Sequence, residues 1–283
     1  MIAAASVAAA FLGACADELE APKPGNVHRF AAGHGMRVAD FRASAASAAP
    51  ALCRPDASLG ARIEGAVRAT RRAIGQNTNL GIVLLCAPLA MAAEAGDRLR
   101  PALCGVIDAA TPADAASVFR AIALAAPGGL GHVRRHDVRA RPAIALREAM
   151  AAASGRDRIA AQWAGGFADV FGIGLPCLRA EAARGRDRRW ATLAVYLRFL
   201  AAFPDSHIAR RHGARAAEAV RARAAGFANR LSAVADPIVL LSDLLAWDAA
   251  LKRARRNPGT SADLTVATLF AARLEELLAD RGC

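Results

Sequence analysis

Polar residues gather in short breaks between long apolar stretches, and each break holds residue types that bind phosphate, cap a helix or move a proton. Pro22-Lys23-Pro24-Gly25-Asn26-Val27-His28 sets a lysine on a rigid turn, where a point charge beside backbone amides suits a phosphate. An ordinary helix-to-loop turn with a solvated lysine explains the same residues. Asn77-Thr78-Asn79 directly precedes the most apolar run, Leu80 to Ala93. Side-chain amides there can cap a helix whose positive end favours an anion, and capping accounts for one asparagine more readily than for both. Gly128-Gly129-Leu130-Gly131-His132, followed by Arg134, Arg135, His136 and Asp137, has the mix to wrap phosphates. It is not a dinucleotide fingerprint, which needs a preceding strand. His132 and His136 have the spacing of two zinc ligands, but the metalloprotease glutamate is missing and the glycines favour a loop.

Asp205-Ser206-His207 contains the residue types of a hydrolase triad, yet chain neighbours cannot hydrogen-bond in series as a triad requires. Asp205 is either a helix cap or a carboxylate for metal or base duty beside two phosphate-binding arginines, Arg210 and Arg211. Asn257-Pro258-Gly259-Thr260-Ser261-Ala262-Asp263 ends in a Thr260–Asp263 capping arrangement, which can be purely structural; Asn257 and Gly259 add an amide-bearing turn at a positive helix end.

The elements that must hold these breaks are helices. Of 283 residues 55% are hydrophobic but only 5% aromatic, so alanine and leucine, which enter a helix at least cost, supply the apolar content. Helices are predicted from the N-terminus to Ala21, over 36–49, around Ile63 to Ile74 and over 80–93. Others follow from Pro112 to about Ala126, then over 157–170, 187–203, 206–230, 237–251 and from Thr260 onward. Pro50 to Ser58 reads as a turn. No segment alternates apolar and polar residues over strand length. The expectation is an all-α fold: one multi-helix globular bundle over 1–283, with active-site loops between helices.

The formal charge of +12 suits an anionic partner. Basic residues are scattered, and Tyr196 is the only tyrosine, so a phosphate-bearing small molecule fits better than nucleic acid. The six cysteines form no CxxC pair and fit reduced thiols in a cytoplasmic protein. Leu12-Gly13-Ala14-Cys15 looks like a lipoprotein box, but no Lys or Arg precedes the apolar run, so a structural first helix is preferred. Leu80 to Ala93 contains Pro88 and is too short to span a bilayer, which makes it a core helix and gives no membrane association.

Six segments in order resemble the triphosphoribosyl-dephospho-CoA synthase family: KPGNVHRF from Lys23, GHGMRVADFRASA from Gly33, Ile63 through NTNLGIVLLCAPLA to Ala90, GGLG with HDV, DSHIARRHG from Asp205, and NPGTSADL from Asn257 to Leu264. The resemblance implies an all-helical enzyme that, with Mg2+, moves the triphosphoribosyl group of ATP to dephospho-CoA and releases adenine. Under it Asp137, Asp205 and Asp263 become catalytic candidates near ribose C1, and Asp137 and Asp205 metal ligands. Lys23, Arg210 and Arg211 would hold phosphates. Asn26, His34, Asn77 and Asn79 would fix ribose or metal-bound water, with His207, Asn257 and Thr260 completing the nucleotide-binding set. Better-known synthases carry histidine and lysine where this chain has Asn79 and Leu80, so one cation is absent. That pattern resembles a branch of methanogens and one-carbon-using bacteria. It leaves open another acceptor in one-carbon cofactor (methanopterin or methanofuran type) biosynthesis, with a non-enzymatic nucleic-acid-binding protein as the rival class. The partners expected are small nucleotides, with a homodimer possible.

Overall fold

Alanine- and leucine-rich stretches punctuated by proline and glycine give fourteen α-helices among the described residues, which are 2–128, 137–140, 142 and 144–280 of a computed structural model. The first half runs α1 Ala4–Glu20, α2 Val38–Leu52, α3 Leu59–Ile74, α4 Leu80–Ala95, α5 Leu99–Asp108, α6 Pro112–Ala125 and α7 Leu146–Ala151. The second runs α8 Arg158–Ala164, α9 Leu175–Ala183, α10 Arg188–Ala202, α11 Ser206–His212, α12 Ala214–Ala233, α13 Leu241–Arg253 and α14 Gly259–Ala279. No described residue lies in a strand; only isolated bridges pair His28 with Ala31 and Gly33 with Met36. The fold is all-α.

Helix α4 is apolar all round, as a helix enclosed by others must be. It buries every residue except Gly81, Met91, Glu94 and Ala95, and it packs against α3, α5 and α14. Among the described residues no single helix is long and apolar enough to cross a membrane; α4 and α5 pass together only as a pair bent by 112°. One apolar cluster surrounds α4 and α14, and a second joins α10, α12 and α13. Buried Trp163 ties α8 to the first, its indole donating to the Leu84 carbonyl at 3.2 Å.

Several boundaries differ from expectation for local reasons. The helix expected over 206–230 is two, because Gly213 at φ +84° turns the chain between α11 and α12. The one expected over 157–170 stops at Ala164, and a π-turn at Val170–Gly174 leads into α9. Pro50 and Pro88 lie inside α2 and α4 rather than ending them. Pro50 sits in the last turn of α2, and tertiary burial of α4 outweighs one lost bond. A capping box forms at Thr111 and Asp114, where the helix expected from Pro112 begins, with Thr111 Oγ1 accepting from the Asp114 amide at 3.1 Å. The glycine-rich stretch beyond Gly128, with His132, Arg134, Arg135 and His136, lies outside the described residues.

Candidate functional site

The polar breaks of the sequence converge because the helices they introduce begin at a common place. The starts of α4, α8, α11 and α14 surround a cavity of about 650 Å³, within the ~300–1,000 Å³ common for small-molecule sites. A helix start carries the positive end of its dipole, and here caps already use part of it: Asp157 at α8, Asp205 at α11 and α14, and Asn77 at α4. Asn26, His34, Asn77, Asn79, Asp137, His207, Arg210, Arg211, Asn257, Thr260 and Asp263 line it. Lys23 and Asp205 do not reach it.

Lys23 is neither a solvated lysine nor an exposed phosphate hook. The whole turn from Ala21 to His28 is buried, and the Lys23 ammonium donates to Glu18, to Asn26 Oδ1 at 2.9 Å and to the Val27 carbonyl at 3.0 Å. Asn26, whose oxygen is fixed this way, turns its nitrogen to Asn257 Oδ1 at 2.9 Å. Two distant polar breaks are thereby joined at the cavity wall. The turn is clamped from behind, where Gly25 N donates to Asp248 Oδ1 at 2.8 Å and the Tyr196 hydroxyl to the Pro24 carbonyl at 2.7 Å. Gly25 has φ +82°, and a Cβ there would lie 2.8 Å from Pro258 Cδ, so only glycine fits. His34 caps the outer side of the turn, its Nε2 2.8 Å from the Gly25 carbonyl.

Asp205 is likewise consumed by structure rather than exposed to a metal. It is fully buried, accepting from the His207 and Ile208 amides at 3.0 and 3.1 Å on one oxygen and from Ser261 N and Oγ at 2.8 Å on the other. One carboxylate thus starts α11 and also binds the first turn of α14. That displaces the Thr260–Asp263 box: Thr260 Oγ1 instead meets Ser206 Oγ at 2.9 Å and the His207 amide at 3.2 Å. Asp263 is left with its carboxylate at the cavity wall, pressed onto the first turn of α4, where Gly81 makes room. Asn77 Oδ1 caps α4 through the Leu80 amide at 3.1 Å, while Asn79 turns to Thr70 Oγ1 at 3.0 Å. The two asparagines therefore have different jobs.

Arg210 pairs with Asp157, which caps α8 through the Ile159 and Ala160 amides. Arg211 is exposed at the cavity and bonds no described group. Burial, then Arg210 and Arg211, push the His207 imidazole down to about 4, so it is neutral near pH 7. Burial also pushes the Asp263 carboxyl well up, reinforced by the carboxylates of Asp205, Glu18 and Asp157. The cavity includes Glu18, Arg71, Arg156 and Asp157 as well, which sequence reasoning did not select. Asp157 stands where a cap belongs and was legible on that ground; Glu18 looks like any charged residue of an amphipathic helix. The opposite wall is apolar, built by Phe119, Ile122, Met150 and Ile159 with several alanines. Among the described residues no group of three or more His, Cys, Asp or Glu is arranged to hold a metal ion by itself.

An all-helical chain with a cavity lined by arginines and carboxylates at converging helix starts is the class these features define. Its sequence matches the model of the ATP:dephospho-CoA triphosphoribosyl transferase (CitG) family over residues 4–282, and the chain belongs to that family of transferases. No curated protein and no solved structure matches it.

Proposed function

We propose that the protein transfers the triphosphoribosyl group of ATP to the hydroxyl of a dephospho-CoA-type acceptor, with adenine leaving. The observation that carries this reading is the meeting of four helix starts with Arg210 and Arg211 on one cavity large enough for a nucleotide. A triphosphate is stabilised there by dipole ends and guanidinium groups together. Cleaving the bond between ribose C1 and the base develops positive charge at C1, which the cavity carboxylates stabilise. Asn26 and Asn257, locked to each other, and neutral His207 offer hydrogen bonds that fix the ribose. Mg2+ binds through few protein carboxylates and several phosphate and water oxygens, so Asp137 at the cavity fits it where buried Asp205 does not; the ion would neutralise triphosphate charge. Residue 80 is leucine, so the acceptor meets an apolar side chain at the start of α4. That favours an acceptor with less charge at this point, including one from one-carbon cofactor biosynthesis. Incubation with ATP, Mg2+ and dephospho-CoA, followed by chromatography for adenine, tests the proposal. Adenine release that depends on dephospho-CoA supports it, and ATP binding without release redirects the search to other acceptors. Absence of both overturns it.

A further inference from the structure

Two cavity carboxyl groups, Glu18 and Asp263, are both pushed up by burial, but Glu18 has a bonded cation beside it and Asp263 has none described. Lys23 Nζ is surrounded by three acceptors, the Glu18 carboxylate, Asn26 Oδ1 and the Val27 carbonyl, which use the three protons of an ammonium. That saturated geometry holds the pair in its charged form, ammonium and carboxylate, against burial, which pushes the lysine down and the carboxyl up. Only Glu18 Oε1 is bonded to Lys23; Oε2 has no described donor, and the residue lines the cavity from the last turn of α1. Asp263 has no described hydrogen-bond donor or paired cation. Its carboxyl lies on Gly81, and the charges acting on it are Glu18, Asp157 and Asp205, opposed by Arg210 and Lys23, neither of which bonds it. A carboxyl so placed keeps its proton. The titratable groups around Glu18 are the Lys23 ammonium, the buried Cys15 thiol, the Tyr196 hydroxyl and Asp263 itself, while Lys252 acts on Lys23 from α13.

Two buried carboxyl groups of which one has a bonded cation to hold its charge and the other has none described can serve one reaction as base and acid. We propose that Glu18 takes the proton of the acceptor hydroxyl while Asp263 gives its proton to the departing base. The proposal rests on the transferase reading above. The C1–N bond breaks with its electron pair passing to the purine nitrogen system, which Asp263 protonates. The acceptor oxygen forms the new bond to C1, and its proton passes to Glu18. Exchange of one proton with solvent then restores Asp263 and Glu18, so adenine and the ribosylated acceptor are the only products.

The test compares the full-length protein with Glu18→Gln and Asp263→Asn on two nucleotides, ATP and its N7-methylated analogue, whose base leaves without needing a proton. Both variants are expected to bind ATP in calorimetry and to lose ~10²–10⁴-fold in kcat with ATP, the usual contribution of a general acid or base. With the methylated nucleotide Asp263→Asn should recover most of its turnover, whereas Glu18→Gln should not. Recovery by both variants, by neither, or by Glu18→Gln alone overturns the division of roles, as does unimpaired turnover of either variant with ATP. If the unmodified protein neither binds ATP nor releases base, the transferase reading itself falls and takes the division with it. That result is distinct from an active protein whose variants are also active.

Discussion

Gly81→Ala is the most telling single perturbation, because one added carbon acts on one carboxylate. A Cβ at position 81 would lie 2.0 Å from Asp263 Oδ2 and 2.5 Å from its Cγ. Ordinary contact begins near 3.4 Å, so the carboxylate must retreat by about 1.4 Å or α4 must move. Helix α4 is enclosed by α3, α5 and α14, which leaves the side chain as the part that gives. A displacement of ~1 Å at a reacting group can cost ~10²-fold in rate, or about 2.7 kcal/mol of barrier. Alanine inside a helix also restricts the unfolded chain and favours folding by ~0.5–1 kcal/mol, which offsets part of the steric cost. The expected variant is thus folded, with a Tm within a few degrees of the parent, and slow. Adenine release measures turnover, and circular dichroism measures Tm. Gly226→Ala in α12 is the control, since a Cβ there meets nothing within 4 Å; it should gain stability and keep full activity. Parental kcat in Gly81→Ala would refute the reasoning that the placement of Asp263 on α4 governs the reaction.

Lys23→Met leaves Glu18 buried without its cation and should destabilise the fold by ~3–5 kcal/mol in denaturant titration, while a Lys23→Met, Glu18→Met double variant recovers most of that loss. Arg211→Ala should raise KM for ATP about tenfold with Tm unchanged, because Arg211 faces the cavity and bonds no described group; unchanged KM would remove it from the phosphate site. Because the His207 imidazole is held at about 4, below its unfolded value near 6.5, the unfolded chain takes up a proton in that window that the folded chain refuses. Its contribution is complete above about pH 6.5 and is lost as pH falls toward 4, by up to roughly 3 kcal/mol. His207→Gln should flatten that part of the stability curve, and an unchanged curve would place the acid sensitivity elsewhere.

The helices were legible because alanine, leucine and the proline and glycine breaks act within a few residues, and Thr111 with Asp114 closes its capping box without outside help. Helix ends failed where a distant partner intervened. The Thr260–Asp263 box is locally sound, but Asp205, far earlier in the chain, takes the Ser261 amide and frees Asp263. Lys23 shows the same limit from the other side. A lysine between prolines reads as an exposed charge until α1 returns Glu18 to it, and then it organises a wall it does not touch. The sequence marks which breaks are polar, since each introduces a helix; whether a charged group in them faces the ligand or supports one that does depends on pairings over long separations. Glu18 belongs to that second kind of information. Nothing in its helix distinguishes it, yet a saturated ammonium behind it and a cavity before it give it a chemistry that Glu20, exposed enough to pair with Arg29 and Arg42, lacks.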